Sequence, residues 1–234
     1  MHETPTRRQV LAAAGLTGIV GLAGCTGGSS TPTADSQGDG GGGTTAGSGG
    51  GEATPAGQLD PPVRGDPEAD VTLAVYEDFA CPHCRDYNEN GYPALAEEFV
   101  DQGRVRYEHR DLPIPVLDPG SFEAASAARA VQDRHGDGAF WAYADALFAN
   151  QDALGSETPA LYADLAADLG HDGGPVRSNA VDQTYADTVG GDRQRGIDAG
   201  VEGTPGFVVN GEVVASGFGD TTVETVRSAI EERL

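Results

Sequence analysis

From about Gln58 onward, apolar and polar positions follow patterns that assign secondary structure. Val71-Thr-Leu-Ala-Val-Tyr76 is a short apolar, β-rich run and reads as a buried strand. It passes through Glu77-Asp78-Phe79 into Cys81-Pro82-His83-Cys84. A helical stretch follows to about Val100, with Leu95, Ala96, Phe99 and Val100 on one face and Gly103 ending it. Arg104 to Arg110 alternates as a second strand, with Val105, Tyr107 and His109 on one side. The middle is helical. An Ala-rich segment runs from Ser121 to His135, and Phe140, Trp141, Ala144, Leu147 and Phe148 keep amphipathic helical spacing. Thr158-Pro159 opens another helix, whose face continues through Leu161, Leu165 and Leu169 to Gly170. Phe207 to Ala215 reads as a hairpin turning at Asn210-Gly211, a type I′ signal. Thr221 and Glu224 are spaced as a capping box for a last helix with Val223, Val226 and Ile230 inward. The order strand, helix, strand, helical block, hairpin, helix is that of an α/β domain over 58–234 with a helical insertion at about 118–198.

The preceding residues follow different rules. Val10 to Gly24 is an uncharged stretch of 15 residues behind Arg7-Arg8. It is shorter than the ~20 residues a spanning helix needs, so 1–25 reads as a signal segment of twin-arginine type. Leu22-Ala23-Gly24-Cys25 resembles a lipoprotein processing box with Cys25 as the lipidated residue; an uncleaved signal anchor is the alternative. Residues 26–57 contain no Val, Ile, Leu or aromatic residue, and 22 of the 32 are Gly, Ser or Thr. Such a segment cannot bury enough apolar surface to order itself and should act as a tether with an r.m.s. span of roughly 30 Å. The domain is therefore expected on the extracytoplasmic face of the cell membrane, held by a lipid anchor.

Charge narrows the setting. Asp and Glu number 37 against 14 Lys+Arg, for a formal net charge of −23, and every basic residue is Arg. Clustered cations for phosphate recognition are missing, which argues against nucleic acid as a partner. Dense carboxylates without Lys suit molar salt, where the Debye length is roughly 3 Å and surface repulsion is screened. An acidic mesophilic protein kept soluble by its charge is the other reading.

The chemistry concentrates in Cys-x-x-Cys. Structural zinc needs four ligands, and only Cys81 and Cys84 remain once Cys25 is assigned to the lipid; His83, His109, His135 and His171 show no metal spacing. No metal or organic cofactor is expected. A redox dithiol has a mechanism. Cys81 at a helix N-terminus would gain backbone N–H donors and the positive dipole end, favouring a thiolate as nucleophile. Pro82 lacks an N–H where none is needed. His83 adds a donor, and a charge when protonated. Cys84, one turn further and more buried, would be the resolving thiol.

Residues 65–234 resemble the DsbA-like branch of the thioredoxin superfamily of exported thiol-disulfide oxidoreductases. The matching stretches are Gly65-Asp66-Pro67, EDFACPHC ending at Cys84, HRDLP at 109–113, GDGAFWAYADALFANQ at 136–151 and GVEGTPGFVVNG at 200–211. The resemblance implies a thioredoxin-like fold with the helical insertion between the second strand and a cis-proline hairpin. It places Thr204-Pro205 in the cis-Pro loop beside the cysteines, where exposed backbone would pair with an extended substrate. Two positions depart from the family pattern. Val75 stands where an acidic residue often lies six positions before the first Cys. Glu77 and Asp78 are nearby, only Glu77 on Val75's face, with a solvated edge carboxylate as the alternative for both. Gly206 stands where a β-branched residue is common, which predicts a looser substrate groove.

The resulting expectation is a dithiol oxidase acting on exported proteins with Cys pairs and recycled by a quinone-linked membrane thiol oxidase. A reductase of the same fold, as in cytochrome maturation, and a lipoprotein that binds a ligand without catalysis remain open. A disulfide across so few residues removes little chain entropy, which gives it weak justification as a staple.

Overall fold

The structure is a computed structural model that describes residues 58–114, 117–155 and 158–234. The signal segment 1–25, Cys25 and the tether 26–57 lie outside the described residues.

Five strands form one sheet in the order β1-β3-β2-β4-β5. The central strand β2 (Val71–Glu77) pairs in parallel with β3 (Val105–Asp111) and antiparallel with β4 (Gly206–Val209). Its apolar run is explained by cover on both faces. Val71, Leu73 and Val75 enter the main core, while Ala74 and Tyr76 join Leu112, Val201 and Val208 on the other side. β4 turns into β5 (Glu212–Ser216) through Asn210 and Gly211, whose φ values of 46° and 85° are those of the type I′ turn.

A strand absent from the sequence reading, β1 (Val63–Gly65), pairs antiparallel with the free edge of β3. Trp141 Nε1 donates to Val63 O at 3.0 Å and ties it to the helical layer. The helical insertion therefore follows the third strand in chain order rather than the second.

Between β2 and β3 the helical stretch is not uniform. α1 (Pro82–Asp86) and α2 (Tyr92–Leu95) alternate with π-type turns at Tyr87–Gly91 and Ala96–Val100. Pro93 has no N–H to continue an α ladder, and the Tyr92 N–H bonds five residues back to Tyr87 O.

The insertion comprises α3 (Gly120–His135), α4 (Asp137–Ala149), a 3-10 turn at Gln151–Ala153, α5 (Thr158–Asp168), α6 (Gly173–Val181) and α7 (Ala186–Ala199). The alanines of α3 allow close packing: Ala124, Ala125, Ala127, Ala128 and Ala130 are all buried. The last helix, α8 (Thr222–Glu231), buries Val226 and Ile230 as expected, but without a capping box. Thr221 makes no side-chain cap bond, and the Glu224 carboxylate pairs instead with Arg227 three residues on. Among the described residues no helix is long and apolar enough to cross a membrane.

Candidate functional site

β2 runs directly into the turn that carries the two thiols. Cys81 caps α1 with extended backbone, φ −80° and ψ 120°, and Pro82 takes the first helical position. This geometry turns the first N–H groups of the helix toward the Cys81 sulfur. Both thiols are free, and Cys81 keeps 4 % of its surface exposed while Cys84 keeps none. Only Cys81 can therefore meet an incoming sulfur.

Across from it lies the loop before β4, where the Thr204-Pro205 peptide is cis. Cys81 Sγ donates to Thr204 O at 3.6 Å, across 123 residues of sequence. Thr204 and Pro205 are both buried. Gly206 has a packing reason, because a Cβ there would collide with the Val201 side chain and press tightly on the Gly203 carbonyl. The space that a β-branched residue would fill is occupied by Val201.

The two thiols are tuned in opposite directions. The Cys81 pKa is lowered to about 5, chiefly by a hydrogen bond from the Cys84 thiol, against burial and with help from the backbone N–H groups of Cys84 and His83. His83 contributes through its backbone, its imidazole being exposed. Burial pushes Cys84 well up, and its bond to Cys81 and the nearby Glu77 charge push the same way.

Glu77 and Asp78 are not edge carboxylates; both are buried. Burial raises the Asp78 pKa to about 6, against N–H bonds from Ala80 at 2.8 Å and Ile114 at 2.9 Å. Glu77 accepts from Asn88 Nδ2 at 2.6 Å, and the same amide donates to Cys84 O at 2.9 Å. Behind Glu77 stands His109, wholly buried, with Nδ1 3.2 Å from Glu77 and Nε2 3.2 Å from Asp111. Burial opposes its protonation, but the bonds and charges of the two carboxylates outweigh that cost and raise its pKa. Asp111 continues to Arg129, whose other nitrogens reach Asp192 and Gln132. His109 is thus a core histidine held between carboxylates. Alternation along β3 signalled its inward face, but not its partners. His135, at the end of α3, and His171, in the turn between α5 and α6, stack on each other at 4.1 Å between ring centroids, away from the thiols in sequence. Among the described residues no group of three or more His, Cys, Asp or Glu is placed to hold a metal ion.

Gln151 was not singled out from sequence. Its buried amide donates to Phe79 O at 2.7 Å and to Cys81 O at 2.9 Å. It is the last residue of the family-like stretch 136–151, but nothing local shows its role, since its targets lie 70 and 72 residues earlier.

A depressed thiol next to a buried one, on the strand-to-helix turn of a mixed five-stranded sheet, can exchange with an external disulfide or dithiol. Comparison with known proteins agrees with this architecture: the family described as Thioredoxin matches residues 58–232. The chain belongs to that family. This thioredoxin-family chain is 38% identical over 150 residues to the Na(+)/H(+) antiporter NhaA 3 of Salinispora tropica, a match covering 64% of the chain but 21% of the antiporter. It therefore spans about a fifth of that relative's length. To disulfide bond formation protein D of Bacillus subtilis it is 28% identical over 176 residues, covering 74% of the chain and 77% of that protein. The crystal structure of oxidised BdbD from Bacillus subtilis superposes with a TM-score of 0.66 at 27% identity, over 74% of this chain and 92% of that one. DsbA of Chlamydia trachomatis, at 20% identity and a TM-score of 0.64 over 78% and 95% of the two chains, shares the fold.

The depressed thiol gives a pH dependence of definite sign. The folded Cys81 pKa of about 5 lies below its unfolded value of 9.0. Its contribution to the stability of the dithiol form is fully present above the unfolded value and is lost as pH falls through about 5. At pH 7 it is on the order of 3 kcal/mol. Urea melts of dithiol and disulfide forms between pH 4.5 and 8 are expected to show the dithiol form gaining on the disulfide form as pH rises. A gap that stays flat with pH would contradict a depressed thiol.

Proposed function

We propose that this chain is an extracytoplasmic protein thiol-disulfide oxidoreductase that introduces disulfides into exported proteins. The observation that carries the proposal is the opposite tuning of Cys81 and Cys84 within one turn facing Thr204-Pro205. In the disulfide form, a substrate thiolate attacks Cys81 Sγ, and Cys84 leaves with the electron pair of the S–S bond and takes up a proton. The second substrate thiolate then attacks the substrate sulfur of the mixed disulfide. Cys81 leaves as the thiolate, the substrate is oxidised by two electrons, and the enzyme pair is reduced by two. A low pKa makes Cys81 a good leaving group, which favours donation of the disulfide. Pro82 and His83 shape the helix start, and Thr204 and Pro205 line the approach to Cys81. No metal or organic cofactor enters this scheme.

The setting belongs to the same proposal. Arg7-Arg8, the short apolar stretch and Cys25 support export and lipid anchoring, and the Gly/Ser/Thr-rich tether leaves the domain free to turn near the membrane. A quinone-linked thiol oxidase in the membrane would return the pair to the disulfide. The excess of 37 acidic over 14 basic residues, without Lys, supports a halophilic source. The relative described as a disulfide bond formation protein supports the oxidising direction.

The test is the equilibrium reduction potential of the Cys81–Cys84 pair, measured in molar salt. A value between about −120 and −180 mV is expected of a disulfide donor. A value near about −270 mV or lower would overturn the oxidase reading in favour of a reductase.

A further inference from the structure

We propose that Gln151, supplied by the helical insertion, is a positioning residue for Cys81. The inference rests on the dithiol reading above. The two carbonyls that Gln151 Nε2 holds, Phe79 O and Cys81 O, bracket Ala80, so one amide fixes the turn between β2 and α1 from both sides. Cys81 O also accepts from Cys84 N at 3.1 Å and Arg85 N at 3.2 Å, and Gln151 adds a donor from outside the helix. The consequence reaches the sulfur through the backbone. Pro82 has no N–H, so the nearest helix donors to Cys81 Sγ are the N–H groups of His83 and Cys84. Whether the sulfur faces them depends on the Cys81 ψ angle, here 120°, which orients the very carbonyl that Gln151 grips.

The neighbouring residue supplies an internal control. Asp152 pairs with Arg85 at 2.9 Å on the same turn, but its side chain is 91% exposed, and such pairs contribute little. Gln151 is buried, so loss of its amide leaves the Phe79 carbonyl without this donor in a site that excludes water.

The test is the ionisation of Cys81 in the full-length protein, followed by thiolate absorbance and by alkylation rate against pH. Gln151→Met keeps the side-chain length and removes both donors. Gln151→Asn keeps the amide but loses the reach, and serves if the first variant does not fold. Both are expected to lower the Cys81 ionisation constant about fivefold, the worth of one net N–H bond to the sulfur lost as the turn relaxes. Their potentials should shift in the reducing direction, whereas Asp152→Asn should match the wild type. A purely structural Gln151 would lower the melting temperature and leave the ionisation midpoint unmoved, which would overturn the inference. Failure of the wild-type pair to cycle between dithiol and disulfide would instead overturn the functional reading beneath it.

Discussion

Cys81→Ser is expected to lose dithiol oxidation down to background, a fall of roughly a thousandfold or more, because a hydroxyl can neither carry the mixed disulfide nor leave as a stable anion. Cys84→Ser is expected to behave differently. With Cys81 intact and its wholly buried partner gone, the variant should accumulate a mixed disulfide with client protein. The asymmetry follows from burial, since Cys84 has no exposed surface and cannot be reached by a bulky thiol. Non-reducing gels of the two variants, probed for adducts and scored for client oxidation, check both arms. Equal activity in Cys81→Ser and wild type would sink the redox function. Binding retained by Cys81→Ser in the absence of any wild-type turnover would favour a ligand-binding lipoprotein.

Arg129→Met should cost about 3–5 kcal/mol of stability, the usual consequence of removing one partner from a buried ionic cluster. Arg129 on α3 is wholly buried, and its guanidinium bonds Asp111 of β3 at 2.6 Å, Asp192 of α7 at 2.7 Å and Gln132 at 2.8 Å. One side chain thus joins the helical insertion to the sheet. Without it, Asp111 keeps only His109 and Asp192 keeps Arg110 and Arg195 among these ion-pair partners. The exposed pair Arg85–Asp152 gives the comparison, with Asp152→Asn expected to cost under about 1 kcal/mol. Urea midpoints at low and molar salt measure both effects. Salt should leave the Arg129 effect largely intact because buried pairs are weakly screened. A loss below about 1 kcal/mol for Arg129→Met would mean that the cluster does not anchor the insertion.

Much of the fold was visible in local patterns, and the misses have physical causes. β1 spans three residues behind Pro61-Pro62, too few for any period, and exists because β3 offers it an open edge. Helices α6 and α7 carry Gly173, Gly174, Gly190, Gly191 and Gly196, which lowers their intrinsic helix tendency. Packing decides them: Gly196 lies against the Tyr76 ring, where a Cβ would collide. The capping-box spacing at Thr221 and Glu224 was present, but Arg227 competes for the Glu224 carboxylate.

By itself the sequence determined the strand-to-helix turn bearing Cys81-Pro82-His83-Cys84, the Asn210-Gly211 hairpin and the amphipathic helices. These depend on backbone hydrogen bonds and apolar periods that span about ten residues or fewer. Only the tertiary structure decided that Glu77 and Asp78 are buried, that His109 sits between two carboxylates, that Val201 fills the space beside Gly206 and that Gln151 grips the redox turn. Those facts depend on what distant elements lay over each side chain, and burial is what makes a charge or an amide costly to leave unpaired.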